Sequence, residues 1–234
     1  MKDVLGIIGG LGPKASAYFY DMITDMTVAN KDQEHLNIIL LSHSTIPDRT
    51  EYILNNSKDN PYPYLLEDVK TLERLGAKMI AIPCNTSCYF HKELQANTNV
   101  IVNNMVEDTI LELKKHNIEQ VAIMATSGTI ASELYQKACI KYNIKYELPS
   151  KEVQQEIMSI IYDKVKKGEK VELENWQNVI NSFKSKHIIL GCTELSYLKR
   201  ELCLNSNFID PLEIQVKKVL NFFGKKINKD NNSL

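Results

Sequence analysis

AIPCNTSC (residues 81–88) begins as an apolar run, meets a proline, and then sets a cysteine in front of an asparagine and a threonine. IILGCTELS (residues 188–196) repeats the scheme: an apolar run, a cysteine, and hydrogen-bonding residues directly behind it. Each reads as a buried strand running into a helix start. The two cysteines, Cys84 and Cys192, stand 108 positions apart. A second echo lies between VLGIIGGLGP (residues 4–13) and VAIMATSGTI (residues 121–130), with Val4 and Val121 117 positions apart. Offsets this close predict a duplicated α/β unit: two similar domains, each a parallel sheet flanked by helices, related by a pseudo-twofold, with the active site in the cleft between them.

The rest of the chain fits that alternation. DVLGII is nearly unbroken apolar sequence, as expected of a parallel strand covered on both faces. Pro13 suits the first turn of a helix running to about Asn30. LNIILLS (36–42) predicts a second strand, followed by a polar segment, HSTIPDRTEYI. A helix over 64–75 ends at Gly76, KMIAIP forms the strand that delivers Cys84, and NVIV forms a short fourth strand. In the second half the spacing predicts helices over 105–116 and 132–142, strands at QVAIMA, IKYEL, HIILG and NFID, and a long helix from Pro149 to about Lys167. The expected domains are 1–104 and 105–210. A last helix over 211–226 returns to the first domain, because chain ends often lie close together. The polar stretch at 227–234 reads as a disordered tail.

Composition narrows the function classes. The chain has 28 basic and 29 acidic side chains in 234 residues, so neither a nucleic-acid nor an anionic-membrane surface is expected. No apolar run reaches the length of a membrane span, and the N-terminus lacks a signal-peptide core, which points to the cytoplasm. Five cysteines at 84, 88, 139, 192 and 203 form neither a disulfide framework nor, with the five histidines, a metal-ligand spacing; no metal is expected.

Free cysteine is among the most buried residue types, and core packing accounts for Cys139 and Cys203. Cys84 and Cys192 differ by place: each follows the C-terminal end of a parallel strand, where open α/β sheets bind ligands. A helix start there favours a thiolate, and its free N–H groups can hold a carboxylate or an oxyanion. Asn85 and Thr86, and Thr193 and Glu194, are the accompanying polar residues. Thr126 and Ser127 read as N-cap residues and equally as substrate hydrogen-bonding groups. Gly10, Gly12 and Ala15 match a dinucleotide glycine pattern, but the second strand ends in serine, without the acidic residue that ribose binding requires. Gly10 is assigned instead to close approach of a small anionic ligand to the backbone.

GGLGP, IPDRT, PCNTS, ATSGT, IYDKVKKG and GCTELS, in this order and spacing, resemble the aspartate/glutamate racemase family, and its aspartate racemases most of all. The resemblance spans Gly9 to about Pro211. It implies a cytoplasmic homodimer that racemises a small acidic amino acid without pyridoxal phosphate or any other cofactor. It places the two catalytic cysteines on Cys84 and Cys192, with Cys192 acting on the L-isomer and Cys84 on the D-isomer. The arginine of the IPDR motif falls on Arg49, and the lysine before the final x-Gly of IYDKVKKG falls on Lys166. Two positions depart from the family pattern: Leu11 stands where methionine is common, and Cys88 where histidine is common. Competing readings are a hydantoin racemase or maleate isomerase on the same scaffold, and a non-catalytic dicarboxylate-binding protein. A cysteine hydrolase would need a histidine beside Cys84, and a redox switch would use Cys84 with Cys88.

Overall fold

The computed structural model describes residues 2–203 and 207–228. The first half contains β1 (Val4–Gly9), α1 (Pro13–Met26), β2 (Asn37–Ser42), α2 (Arg49–Ile53), α3 (Tyr62–Arg74), β3 (Ala77–Ala81), α4 (His91–Ala96) and β4 (Ile101–Val102). The second contains α5 (Met105–Lys115), β5 (Gln120–Ala125), α6 (Ser127–Ala131), α7 (Leu134–Lys141), β6 (Lys145–Glu147), α8 (Lys151–Ser159), α9 (Leu173–Asn181), β7 (Ile188–Gly191), α10 (Thr193–Glu201), β8 (Phe208–Ile209) and α11 (Pro211–Phe222). Two four-stranded sheets form, ordered β2-β1-β3-β4 and β6-β5-β7-β8, with every strand pair parallel. The two orders are the same once each half is numbered from its own first strand, which bears out the expected two-domain α/β fold.

The central strands explain the register. All six residues of β1 are buried, because helices cover both faces. In β7, Gly191 lies opposite Ala125, and a side chain on it would come within 2.7 Å of the Ala125 Cβ. Small residues at that pair let β5 and β7 stay close just before Cys192. Helix α11 sends Leu212, Val216, Val219 and Leu220 into the core around Leu5, Ile7 and Phe19, and Ile214 into the core around Val121 and Ile123. Ile227 bridges back to Thr27, and the Asn228 N–H donates to the Met26 carbonyl, so the first two residues of the expected tail are tied down. Residues 229–234 of that tail lie outside the described residues.

Local departures have identifiable causes. Helix α1 stops at Met26 rather than near Asn30, because Thr27 turns extended while its hydroxyl donates to the Ile23 carbonyl. Residues read as a polar segment hold α2, whose N-cap Asp48 accepts from the N–H groups of Thr50 and Glu51. Helix α6 starts at Ser127, earlier than expected, capped by Thr126. Glu133, in the left-handed conformation, then separates α6 from α7. Strand β3 ends at Ala81, leaving Ile82 and Pro83 as a short lead-in that turns tightly before Cys84, whose N–H donates to the Ile82 carbonyl. The long helix after Pro149 is α8 continued by a π-helical turn, Ile160–Val165. Helix α9, with Trp176 and Val179 buried, was not expected from the sequence.

The two lobes meet closely where α6 faces α2. A Cβ on Gly128 would lie 2.8 Å from both the Cα and the hydroxyl oxygen of Thr50. Gly128→Ala is therefore expected to destabilise the protein by about 1–3 kcal/mol, since the obstacle is backbone. That outweighs the roughly 1 kcal/mol that alanine gains over glycine in a helix. The thermal midpoint should fall, and an unchanged or raised midpoint would mean that the lobes are not held at this distance.

Candidate active site

The loops after β1, β3, β5 and β7 converge between the lobes, from the C-terminal edges of both sheets. Cys84 enters from the first lobe, its N–H bonded to the Ile82 carbonyl at 2.7 Å. Asn85 follows and begins a 3-10 turn, Thr86–Phe90. The Tyr135 hydroxyl donates to Asn85 Oδ1, and Asn85 Nδ2 is buried with no partner among the described residues. This fixes the amide orientation and leaves a donor free for a ligand. The hydroxyl of Thr86 lies 3.1 Å from that of Thr126 and 2.9 Å from that of Thr129, so a small network of hydroxyls crosses the interface.

Cys192 enters from the second lobe as the residue preceding α10. Its thiol donates to Glu194 Oε2 at 2.9 Å, and the Thr193 hydroxyl donates to the same oxygen at 3.3 Å. Burial pushes the Cys192 thiol well above its ordinary pKa, and the Glu194 carboxylate pushes it further. The proton therefore rests on Cys192.

Two cations complete the site. Arg49 Nη1 donates to the Pro47 carbonyl at 3.0 Å, and Nη2 donates to the Leu11 carbonyl at 3.0 Å. Arg49 Nε is buried with no hydrogen-bond partner among the described residues. Burial opposes its charge, but the neighbouring Cys84 sulfur and the Asp48 carboxylate outweigh that and hold the guanidinium above its usual range. Lys166 lies 3.7 Å from Asp48 Oδ2 and 3.7 Å from the centre of the Tyr162 ring. Burial again works against the cation, and Glu194, Tyr162, Cys192 and Asp48 together raise its pKa.

Cys84, Cys192, Arg49, Lys166, Asn85, Thr86, Thr126, Thr193 and Glu194 all line one cavity of about 10 Å³, room for about one water. Behind Leu11, Arg49, Lys166 and Glu194 it adjoins an outer pocket of about 520 Å³. An amino acid therefore enters only if the lobes or these side chains move.

The family follows from the length of chain that carries these features. The family model for the Asp/Glu/hydantoin racemases matches residues 8–219, taking in both thiols and both cations. The chain belongs to that family. The chain is 27% identical over 202 residues to the broad specificity amino-acid racemase RacX of Bacillus subtilis (strain 168), covering 82% of this chain and 86% of that one. It is 27% identical over 165 residues to the glutamate racemase of Aquifex pyrophilus, covering 68% of this chain and 61% of that one. Its fold superposes on the Picrophilus torridus aspartate racemase with a TM-score of 0.85 at 27% identity, covering 99% of this chain and 98% of that one. It is thus an isomerase by family.

Two expected site residues lie outside the thiol cavity. Gly10 lines the outer pocket, at φ +88°, and its N–H donates to Ser16 Oγ. Ser127 turns toward α8, where Gln154 donates to its hydroxyl at 3.2 Å. Among the described residues, no histidine lines the cavity or the outer pocket. Cys88 packs between the cores of the two lobes, and burial pushes its thiol up to about 12. Cys139 is core, as expected, but Cys203 is exposed at the end of α10, because a left-handed backbone turn carries it out of the helix. Sequence reasoning missed Asp48, Thr50, Tyr162 and Tyr135. A helix cap written as Asp before Arg-Thr-Glu was the one signal available for Asp48.

Proposed function

We propose that the protein interconverts L- and D-aspartate by proton transfer between Cys84 and Cys192, with no cofactor, as a cytoplasmic homodimer. The observation that carries this reading is one closed cavity containing a thiol from each lobe together with two cations, Arg49 and Lys166. A dicarboxylic amino acid matches that charge pattern better than a neutral hydantoin does. Racemisation removes an α-proton from one face and returns a proton to the other. For the D-isomer, Cys84 takes the proton and the Cys192 thiol delivers its own. For the L-isomer the two sulfurs start in the opposite state, Cys192 as thiolate and Cys84 as thiol: Cys192 takes the α-proton and the Cys84 thiol delivers its own to the other face. The developing enolate charge is met by Asn85 Nδ2 and by the hydroxyls of Thr86, Thr126 and Thr193. Arg49 and Lys166 hold the side-chain carboxylate.

Glutamate is the second candidate, since one methylene changes transition-state binding by only about 1–3 kcal/mol. Incubating the protein with L-aspartate and, separately, L-glutamate, followed by chiral chromatography, tests the assignment. Faster appearance of D-aspartate supports it, faster D-glutamate reverses the preference, and the absence of both D-isomers overturns the acidic-substrate reading.

A further inference from the structure

The π-helical turn Ile160–Val165 has a role that the thiol chemistry leaves unexplained. Its wide winding is seen in the Lys166 N–H, which donates to the Ile161 carbonyl five residues back. Ile160, Ile161 and Val165 enter the second-lobe core, while Tyr162 and Lys166 line the thiol cavity. π-Helical turns recur at functional sites because they rearrange which side chains share a face.

Across the cleft, Asp48 is held rigidly as the cap of α2, with the Thr50 N–H donating at 2.7 Å and the Glu51 N–H at 3.0 Å. The Tyr162 hydroxyl donates to both of its carboxylate oxygens, at 3.3 and 3.2 Å. The Tyr162 ring carries the Lys166 ammonium at 3.7 Å, and that ammonium in turn lies 3.7 Å from Asp48. Three groups from two lobes thus form a closed triangle.

We infer that Tyr162 is a positioning residue: through its ring and hydroxyl it clasps Lys166 against Asp48 across the cleft and so sets where the cavity presents its second cation to an anionic substrate. The inference rests on reading Lys166 as a carboxylate-binding cation. Lysine is a point charge on a flexible four-carbon stem, and it needs an external support to hold one place. The aromatic face supplies that support, and the fixed Asp48 supplies the direction. Burial pushes the Tyr162 hydroxyl up to about 12, so it remains a donor throughout the neutral range.

The test compares alkylation of Cys84 by iodoacetate, which is anionic, and by iodoacetamide, which is neutral, each normalised to the exposed Cys203 by peptide mass spectrometry. Cavity opening affects both reagents alike, so their ratio reports the cationic recognition alone. The wild type should favour iodoacetate at Cys84. Tyr162→Leu should lower that ratio about tenfold, having lost the cation–π support. Tyr162→Phe keeps the ring, loses only the bond to Asp48, and should lower the ratio about threefold. In parallel, Tyr162→Leu should raise KM for aspartate with kcat little changed, the sign of binding lost equally from ground and transition states. An unchanged ratio in Tyr162→Phe and in a folded Tyr162→Leu overturns the clasp, as does a wild type with no preference for iodoacetate. Because Tyr162→Phe removes a single oxygen atom, its ratio decides the question even if Tyr162→Leu does not fold. A ratio that falls in a protein that racemises neither acidic amino acid upholds the clasp and removes the substrate assignment instead.

Discussion

Replacing either Cys84 or Cys192 by alanine is expected to lower racemisation by at least about a thousandfold in both directions, within the range that a positioned acid or base contributes. In the proposed mechanism the two residues act as a unit, because each transfer uses one sulfur as base and the other as acid. The double variant should therefore be no slower than either single one, the non-additivity expected of groups sharing one step. Both side chains are buried, and alanine leaves a small void; in Cys192→Ala, Glu194 Oε2 loses the thiol donor and keeps the Thr193 hydroxyl. A retained thermal transition accompanies the loss of activity and separates chemistry from folding. Chiral chromatography of aspartate incubated with each variant is the measurement. A single variant within about tenfold of wild type would mean that its sulfur is no obligatory proton carrier.

Arg49→Met should have the next largest effect, and in two separable ways. The guanidinium satisfies the Leu11 and Pro47 carbonyls and extends one long bond to that of Ile46, while its buried Nε has no hydrogen-bond partner among the described residues and in the proposed reading meets substrate. Losing charged hydrogen bonds to a substrate carboxylate, at roughly 1.5–3 kcal/mol each, should lower kcat/KM by about a hundredfold or more. Losing the partner of buried carbonyls, at about 1–3 kcal/mol each, should lower stability as well. Arg49→Lys keeps a charge but cannot reach carbonyls on two sides as a planar fork does, so it should recover little of either. Steady-state kinetics and thermal unfolding read the two effects independently. A stable Arg49→Met enzyme with unchanged KM would remove Arg49 from substrate binding.

What the sequence made legible depended on how local each signal was. The strand–cysteine–helix junctions at Cys84 and Cys192 are contiguous runs, and their repetition one domain apart carried the two-sheet architecture. Asp48 and α2 were hidden because a five-residue helix is too short to display a periodic apolar face. Tyr162 was hidden because an ordinary helical count does not anticipate a π turn. The Tyr135–Asn85 bond joins residues 50 positions apart, and the fit of Gly128 against Thr50 joins two short helices of different lobes. Such contacts arise only once both sheets have formed and docked. Gly10 and Ser127 had the residue types expected of substrate contacts, but Ser16 and Gln154 already engage them. Helix α9 shows a different limit: its buried Trp176 and Val179 are spaced as on a helix face, yet the surrounding residues are mostly polar and its N-cap is a glutamate, which is no strong start signal.

The most direct test of the two-thiol account is racemisation of L-aspartate in D2O, with the deuterium content of both isomers followed at early conversion. Two bases on opposite faces predict that the D-aspartate formed carries deuterium at the α-carbon while the remaining L-aspartate keeps protium. A D-product that retains the original protium, or residual L-aspartate that gains deuterium as fast as D-aspartate appears, would point to a single shared base and contradict the pairing of Cys84 with Cys192.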